Sequence, residues 1–250
     1  MDLKLKKNGK FSYVEEGQGQ PIILLHGLFG SLSNYDSIIQ TFSKTHRVLV
    51  PVLPILELPR KELSVKALAI HVYEFIHFLE LGSAHILGNS LGGHVGLVLT
   101  LAKPEVVSSL ILTGSSGLFE QGLGKSFPRR QSYDYVRTAS EAVFFNPNVA
   151  TKDLVDNVFS VINDAEKALN IVVAAKSAMK HNLEDELHKI NTPTLLIWGR
   201  QDSITPPFVA EAFHLGIENS SLHFIDECGH APMMEKPVIF NSILAQFLRA

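Results

Sequence analysis

Short apolar strands that alternate with helical segments predict an α/β fold, a mostly parallel, twisted sheet with helices on both faces. Two observations carry this. Pro21–Leu25 and Thr194–Trp198 are unbroken apolar runs, as expected for strands covered on both faces; a strand with one wet face would alternate. Between such runs lie longer stretches with helical periodicity, clearest in Val65, Leu68, Ala69, Val72, Ile76 and Leu79.

Element by element, Leu3–Lys7 and Phe11–Glu15 flank Asn8-Gly9, a pair that favours a type I′ turn, so an opening hairpin adds an antiparallel edge to the sheet. Lys4, Lys6, Lys7 and Lys10 form the wet face of its first strand. Glu16–Pro21 is a second turn, Ser31–Ser43 a helix, and Arg47–Val52 the next strand. Ser64 stands as the N-cap of the long amphipathic helix, and Gly82 lies just past its end. The short buried strand Ala84–Leu87 leads into a helix over Leu91–Lys103, then a strand over Val106–Thr113. From Gly114 to Ile190 the pattern changes to an aromatic and charged stretch, Phe127–Tyr135, and helical segments around Thr138–Phe144, Lys152–Ile162 and Glu166–Met179. Asn191-Thr192-Pro193 restarts the strands, with Thr194–Trp198 and then Leu222–Ile225. There is no internal repeat and no low-complexity linker.

The chain has 250 residues, 46% hydrophobic and 19% charged, the balance of an ordinary globular protein with a large core. A net charge of −3, with both signs spread along the chain, gives no basic face for nucleic acid or an anionic membrane. The single cysteine, Cys228, excludes an intrachain disulfide and a multi-cysteine metal site. The amino terminus lacks the apolar core of a signal peptide, and no apolar run reaches the roughly 18 residues of a membrane helix. Cytoplasmic residence is the default expectation, with a small-molecule substrate as partner and the oligomeric state open.

Gly88-Asn89-Ser90-Leu91-Gly92 lies where a strand passes into a helix. A serine in G-x-S-x-G at that junction is a nucleophile elbow, whose glycines relieve collisions with neighbouring backbone. Two later strands run into polar turns: Thr194–Trp198 into Gly199-Arg200-Gln201-Asp202, and Leu222–Ile225 into Cys228-Gly229-His230. In a parallel sheet ligands sit beyond the carboxyl ends of the strands, so His26, Ser90, Asp202 and His230 are expected to meet at one edge. A serine hydroxyl needs a base to take its proton, and an imidazole supplies one near neutrality.

Serine, acid, histidine in that chain order resembles the α/β-hydrolases over nearly the whole sequence. The resemblance implies an α/β-hydrolase core at 1–113 and 191–250 with a helical cap at 114–190. It implies Ser90 as nucleophile, His230 as base and Asp202 as the acid that orients it. His26-Gly27-Leu28-Phe29-Gly30 looks like the family's oxyanion loop, so the backbone N–H of Leu91 and that of Leu28 or Phe29 are the implied oxyanion donors. No cofactor or metal is implied.

Each assignment has a rival. Ser90 could be a plain helix N-cap. Among eleven histidines, His94 reads as a packing or capping residue, while His85 and His26 could support the site from behind. Asp226 is the rival acid; Thr113-Gly114-Ser115-Ser116, where some relatives carry the acid, holds no carboxylate. Cys228 reads as a buried filler. Expected substrate contacts are His26, Asn34 (equally a helix-entry residue), Phe119, Tyr133 and Phe144. The apolar, proline-rich Pro51–Pro59 is expected to wall the cleft and to contact the cap. Arg129 and Arg130 could bind a carboxylate but read better as a solvated patch. The function expected is a serine hydrolase acting on a small acyl compound, a carboxylic ester first. A serine in place of aspartate argues against dehalogenases and epoxide hydrolases. Carbon–carbon hydrolases of ring-fission diketones are the second reading, although Ala231 stands where they commonly have tryptophan and the late cap, Ile171–Lys176, has no arginine. A small-molecule receptor with little turnover is the third.

Overall fold

A computed structural model describes residues 4–30, 32–120 and 129–249. Leu3, Ser31, Phe127 and Pro128, which figure in the expected elements, lie outside these. The strands are β1 (Lys6–Asn8), β2 (Phe11–Glu16), β3 (Gln20–Leu25), β4 (His46–Pro51), β5 (Ala84–Asn89), β6 (Val107–Thr113), β7 (Thr194–Gly199) and β8 (Ser220–Ile225). They form one sheet in the order β1-β2-β4-β3-β5-β6-β7-β8. The pairs β1/β2 and β2/β4 are antiparallel and the rest are parallel, so the opening hairpin does supply the antiparallel edge. Its turn is displaced by one residue from the expected Asn8-Gly9. Asn8 pairs with Phe11, and Gly9 takes the positive φ of +58° at the first loop position.

The helices are α1 (Asp36–Phe42), α2 (Val65–Phe78), α3 (Leu91–Ala102), α4 (Tyr133–Glu141), α5 (Lys152–Asn163), α6 (Ala165–Lys180), α7 (Pro207–Gly216), α8 (Pro232–Glu235) and α9 (Pro237–Phe247). The helix expected over Ser31–Ser43 is split into a 3-10 turn, Leu32–Tyr35, and α1. Ser64 caps α2 as expected, its hydroxyl accepting the N–H of Ala67 at 3.1 Å. Helix α4 starts five residues earlier than expected because Ser132 caps it and accepts from Tyr135 N. None of the described helices is long and apolar enough to cross a membrane.

Adjacent strand residues point to opposite faces, which explains the unbroken apolar runs. Ile23, Leu25, Leu196 and Trp198 join a core shared with α2, α3 and α7; Ile22, Leu24, Leu195 and Ile197 join a second core shared with α1 and α9. All of these side chains are about fully buried, each contributing about 1.5–3 kcal/mol. Helices α4 and α5 meet in a separate small cluster of Val136, Val158 and Ile162. Because every central strand runs parallel, the loops after β3, β4, β5, β6, β7 and β8 emerge at one edge.

Candidate active site

Ser90 sits between β5 and α3 with φ +56° and ψ −122°, a conformation that only close packing can hold. Its two glycine neighbours are required by proximity. A Cβ at Gly88 would lie 2.4 Å from the backbone of Gly92 and Gly93, and one at Gly92 would lie 1.9 Å from Leu25 O. The Ser90 side chain makes no hydrogen bond to the helix, so the N-cap rival fails. The residue is half-buried, and the amino end of α3 points its dipole at it.

The turns after β7 and β8 are stitched together. Gln201 N donates to Cys228 O at 2.9 Å, Cys228 N donates to Gln201 Oε1 at 3.0 Å, and a Cβ at Gly199 would lie 2.0 Å from Gly229 O. This brings His230 Nδ1 to 2.9 and 3.1 Å from the two oxygens of Asp202. Asp202 Oδ1 also accepts the N–H of Ile204 and of Thr205, both at 2.9 Å, and Oδ2 accepts the Thr205 hydroxyl at 2.9 Å. Thr205 O in turn receives the indole N–H of Trp198 at 2.7 Å. The rival acid is elsewhere: Asp226 pairs with Arg200 at 2.6 Å and is 77% exposed.

His230 is buried, and burial alone would lower its pKa, but the Asp202 carboxylate, joined by Glu120 and Glu235, turns the shift upward from 6.5. With Nδ1–H given to Asp202, Nε2 carries the free lone pair. The imidazole rests on the loop after β6: a Cβ at Gly114 would lie 2.9 Å from Nδ1. Asn89, next to the serine, donates to His230 O at 3.0 Å and to Thr113 O at 2.9 Å, tying the histidine loop to the elbow. Thr205, Gly114 and Asn89 were not assigned from sequence. The roles of Gly114 and Asn89 follow from proximity between distant turns, which leaves no local pattern, whereas Thr205 is a partner of Asp202 within one turn.

The loop after β3 lies against the serine. A Cβ at Gly27 would be 3.1 Å from Ser90 Cβ and 3.6 Å from Oγ, and Gly30 N donates to Gly27 O at 3.1 Å, closing the turn that carries Leu28 and Phe29. A cavity of about 460 Å³ borders this loop, lined by His26, Leu28, Phe29, Gly30, Val52, Leu53, Ile55, Leu56, Glu57 and, from α5, Asn157 and Val161; Ser90 and His230 are not among these lining residues. The loop after β4 therefore walls this cavity. It also meets the insertion: Asn170 Nδ2 of α6 donates to Ile55 O and Leu58 O, both at 3.1 Å.

Several expected substrate contacts are placed differently. His26 lines the cavity, but both ring nitrogens are taken: Nδ1–H donates to Gly27 O at 2.8 Å and Nε2 accepts Leu53 N–H at 3.0 Å. It is a neutral strut between two loops, and burial lowers its pKa. Tyr133 gives its hydroxyl to Asp156 of α5 at 2.6 Å and packs on Phe159. Phe144 packs on the core beside α9. Phe119 packs against Phe208 of α7, with ring centroids 5.4 Å apart and the planes tilted by 47°. Asn34 lies in the 3-10 turn before α1, the helix-entry position. His85 bonds Ser109 Oγ at 2.7 Å near the start of β5, the opposite end from the serine. His94 is fully buried and its Nε2 lies 3.0 Å from His181 Nδ1, linking α3 to the end of α6. Cys228 is buried in the core shared with α9, and Arg129 and Arg130 are exposed.

The Alpha/beta hydrolase family matches residues 22–243, and this chain belongs to it. A solved α/β-hydrolase enzyme, MGS-MChE2, from a metagenome of sediments of the Mar Chica lagoon, Morocco, is 39% identical, with a TM-score of 0.82 and 98% of each chain covered. A 2-hydroxy-6-oxo-6-phenylhexa-2,4-dienoate hydrolase of Comamonas testosteroni is 28% identical over 95% of this chain and 90% of its own. A monoacylglycerol lipase of Xenopus laevis is 24% identical over 99% of this chain and 82% of its own. The protein is an enzyme of the hydrolase class.

Proposed function

We propose that this hydrolase is a serine esterase for small, uncharged carboxylic esters. Ser90 Oγ attacks the ester carbonyl while His230 Nε2 takes its proton. The tetrahedral oxyanion is received by the N–H groups of Leu91 and of Leu28 or Phe29. His230 passes the proton to the departing alcohol, leaving an acyl-enzyme. It then takes a proton from water, whose attack releases the acid and restores Ser90. Asp202 holds the tautomer and balances the imidazolium charge. The observation that carries this reading is the Nδ1–Asp202 pair, which leaves Nε2 basic in a loop tied to the elbow through Asn89.

In this reading residues 114–190 form the cap over a core of 1–113 and 191–250, and α5 closes the cavity from above. Taken as the acyl pocket, because the Leu28–Phe29 loop lines it, the cavity also bears on substrate class. Among the described residues lining it, Glu57 is charged and no Lys or Arg is present. A dienoate such as that named for the Comamonas relative would bring its carboxylate into a pocket with no cation to meet it. The apolar walls suit a short to medium acyl chain.

The test is hydrolysis of short p-nitrophenyl esters, with a fluorophosphonate probe in parallel. Wild type should turn over and be labelled; Ser90→Ala should lose labelling and roughly a thousandfold or more of kcat. A folded wild type that neither labels nor hydrolyses esters, or a Ser90→Ala variant that keeps its rate, would end the proposal. Cleavage of vinylogous diketones in preference to esters would move it to the carbon–carbon class.

A further inference from the structure

Glu235 is a half-buried carboxylate that the mechanism above does not use. It ends α8, five residues after His230. Oε1 accepts the N–H of Gly229 at 2.7 Å; Oε2 accepts the N–H of Phe145 at 2.8 Å and of Asn146 at 3.2 Å. Among the described residues no cation pairs with it, since the adjacent Lys236 bonds Glu227 at 3.2 Å. Its charge is met by backbone donors from two segments, one after α4 and one carrying the histidine. Charge-assisted bonds of this kind are about twice as strong as neutral ones.

The same two segments join directly at the histidine. His230 N donates to Val143 O at 3.1 Å. Gly229 lies in the middle of the junction: a Cβ there would sit 2.7 Å from Val143 O, 2.9 Å from Phe145 N and 3.0 Å from Glu235 Oε1. The backbone around His230 is thus pinned at Gly229 N by Glu235, at His230 N by Val143 and at His230 O by Asn89.

We propose that Glu235 is a positioning residue for His230: its carboxylate clamps the Val143–Asn146 segment onto the histidine loop and so sets where the imidazole stands. This rests on the reading of His230 as the general base. The arrangement makes the foot of the 114–190 insertion part of the catalytic frame, since a shift of that segment is passed to Gly229 and His230 through one side chain. The charged groups facing the imidazole are Asp202, Glu120 and Glu235.

The experiment compares Glu235→Gln, Gly229→Ala, Ser90→Ala and His230→Ala in steady-state ester hydrolysis, well below each melting temperature. Glu235→Gln keeps the shape but turns an NH2 group toward backbone donors. Its kcat should fall about tenfold to a hundredfold, the cost of misplacing a catalytic group by about 1 Å, with KM within about threefold. Its acid limb of kcat/KM should move to lower pH, because one negative charge is lost beside the imidazole. Gly229→Ala opens the clamp with the charge retained, so kcat should fall similarly with the acid limb in place. A Glu235→Gln enzyme with a lower melting temperature but wild-type kcat and acid limb has lost only stability, and overturns the proposal. If that variant does not fold, Gly229→Ala decides: a lowered kcat supports the clamp and an unchanged kcat overturns it. Unimpaired Ser90→Ala and His230→Ala enzymes would instead overturn the esterase reading itself.

Discussion

Gly92 and Gly96 lie one turn apart on α3, yet alanine at each has opposite consequences. At Gly92 the new Cβ would stand 1.9 Å from Leu25 O, 2.4 Å from Leu25 C and 2.9 Å from His26 O. Ordinary contact begins at 3.4 Å, so the gap must open by 3.4 − 1.9 = 1.5 Å. All three atoms are backbone, at the end of β3 where the Leu28–Phe29 loop begins, so no rotamer can yield. At Gly96 the neighbours are Leu110 Cδ1 at 3.1 Å and Ile86 Cγ2 at 3.3 Å, ends of side chains that need give only 3.4 − 3.1 = 0.3 Å. Alanine there also recovers about 1 kcal/mol of helix propensity. Gly92→Ala should therefore cost about 3 kcal/mol, the upper part of the overpacking range, or about 6–12 °C in melting temperature. Its kcat/KM should fall about a hundredfold as the elbow and the Leu28–Phe29 loop are forced apart. Gly96→Ala should stay within about 1 kcal/mol of wild type with activity intact. Thermal melts and ester kinetics on the two variants test this directly. Equal melting temperatures and rates for both would refute the packing argument for the elbow.

Other outcomes follow from the same geometry. Because the His230 pKa is raised and the base must be neutral, kcat/KM should fall as pH drops through a value above 6.5, read from a pH–rate profile. Burial, with some help from His181, holds His94 at about 3 against 6.5 in an open chain. The unfolded chain thus binds the extra proton between those values, and the stability present above pH 6.5 should drain by about 2 kcal/mol on reaching pH 5. His94→Gln, which does not titrate, should flatten that slope in urea titrations; an unchanged slope would assign it to other groups. Asn170→Ala removes both bonds from α6 to the cavity wall, so KM should rise severalfold with kcat within about twofold; a fall in kcat alone would count against a wall-holding role.

The readable parts of this chain were those where one physical rule acts locally. Unbroken apolar strands, the capped helix α2 and the glycine-flanked Ser90 each carry their own signature. The sheet topology then predicts that turns after parallel strands share an edge, so Ser90, Asp202 and His230 could be nominated from three distant segments. What stayed hidden was side-chain direction in the described residues between β6 and β7. Tyr133, Phe144 and Phe119 are aromatic and lie in the expected region, but each is turned to a helix or core neighbour, because helix-on-helix packing is not fixed by the sheet's alternation. His26 is similar: its chain position is as expected, yet two backbone partners, one of them after β4, claim both nitrogens. Glu235 bonds to the backbone of Phe145 and Asn146, which becomes its neighbour only once the segment after α4 has folded onto the histidine loop.

Trp198 is the sole tryptophan of the chain, is fully buried, and donates its indole N–H to Thr205 O, in the turn that cradles Asp202. The molecule thus carries its own optical reporter at the acid's address. Emission excited at the indole band comes from one chromophore, and any opening of that turn would wet it and redden its spectrum. Stopped-flow fluorescence on unlabelled enzyme can thereby separate loosening of this turn from events in the helices 114–190, a resolution that proteins with several tryptophans do not offer.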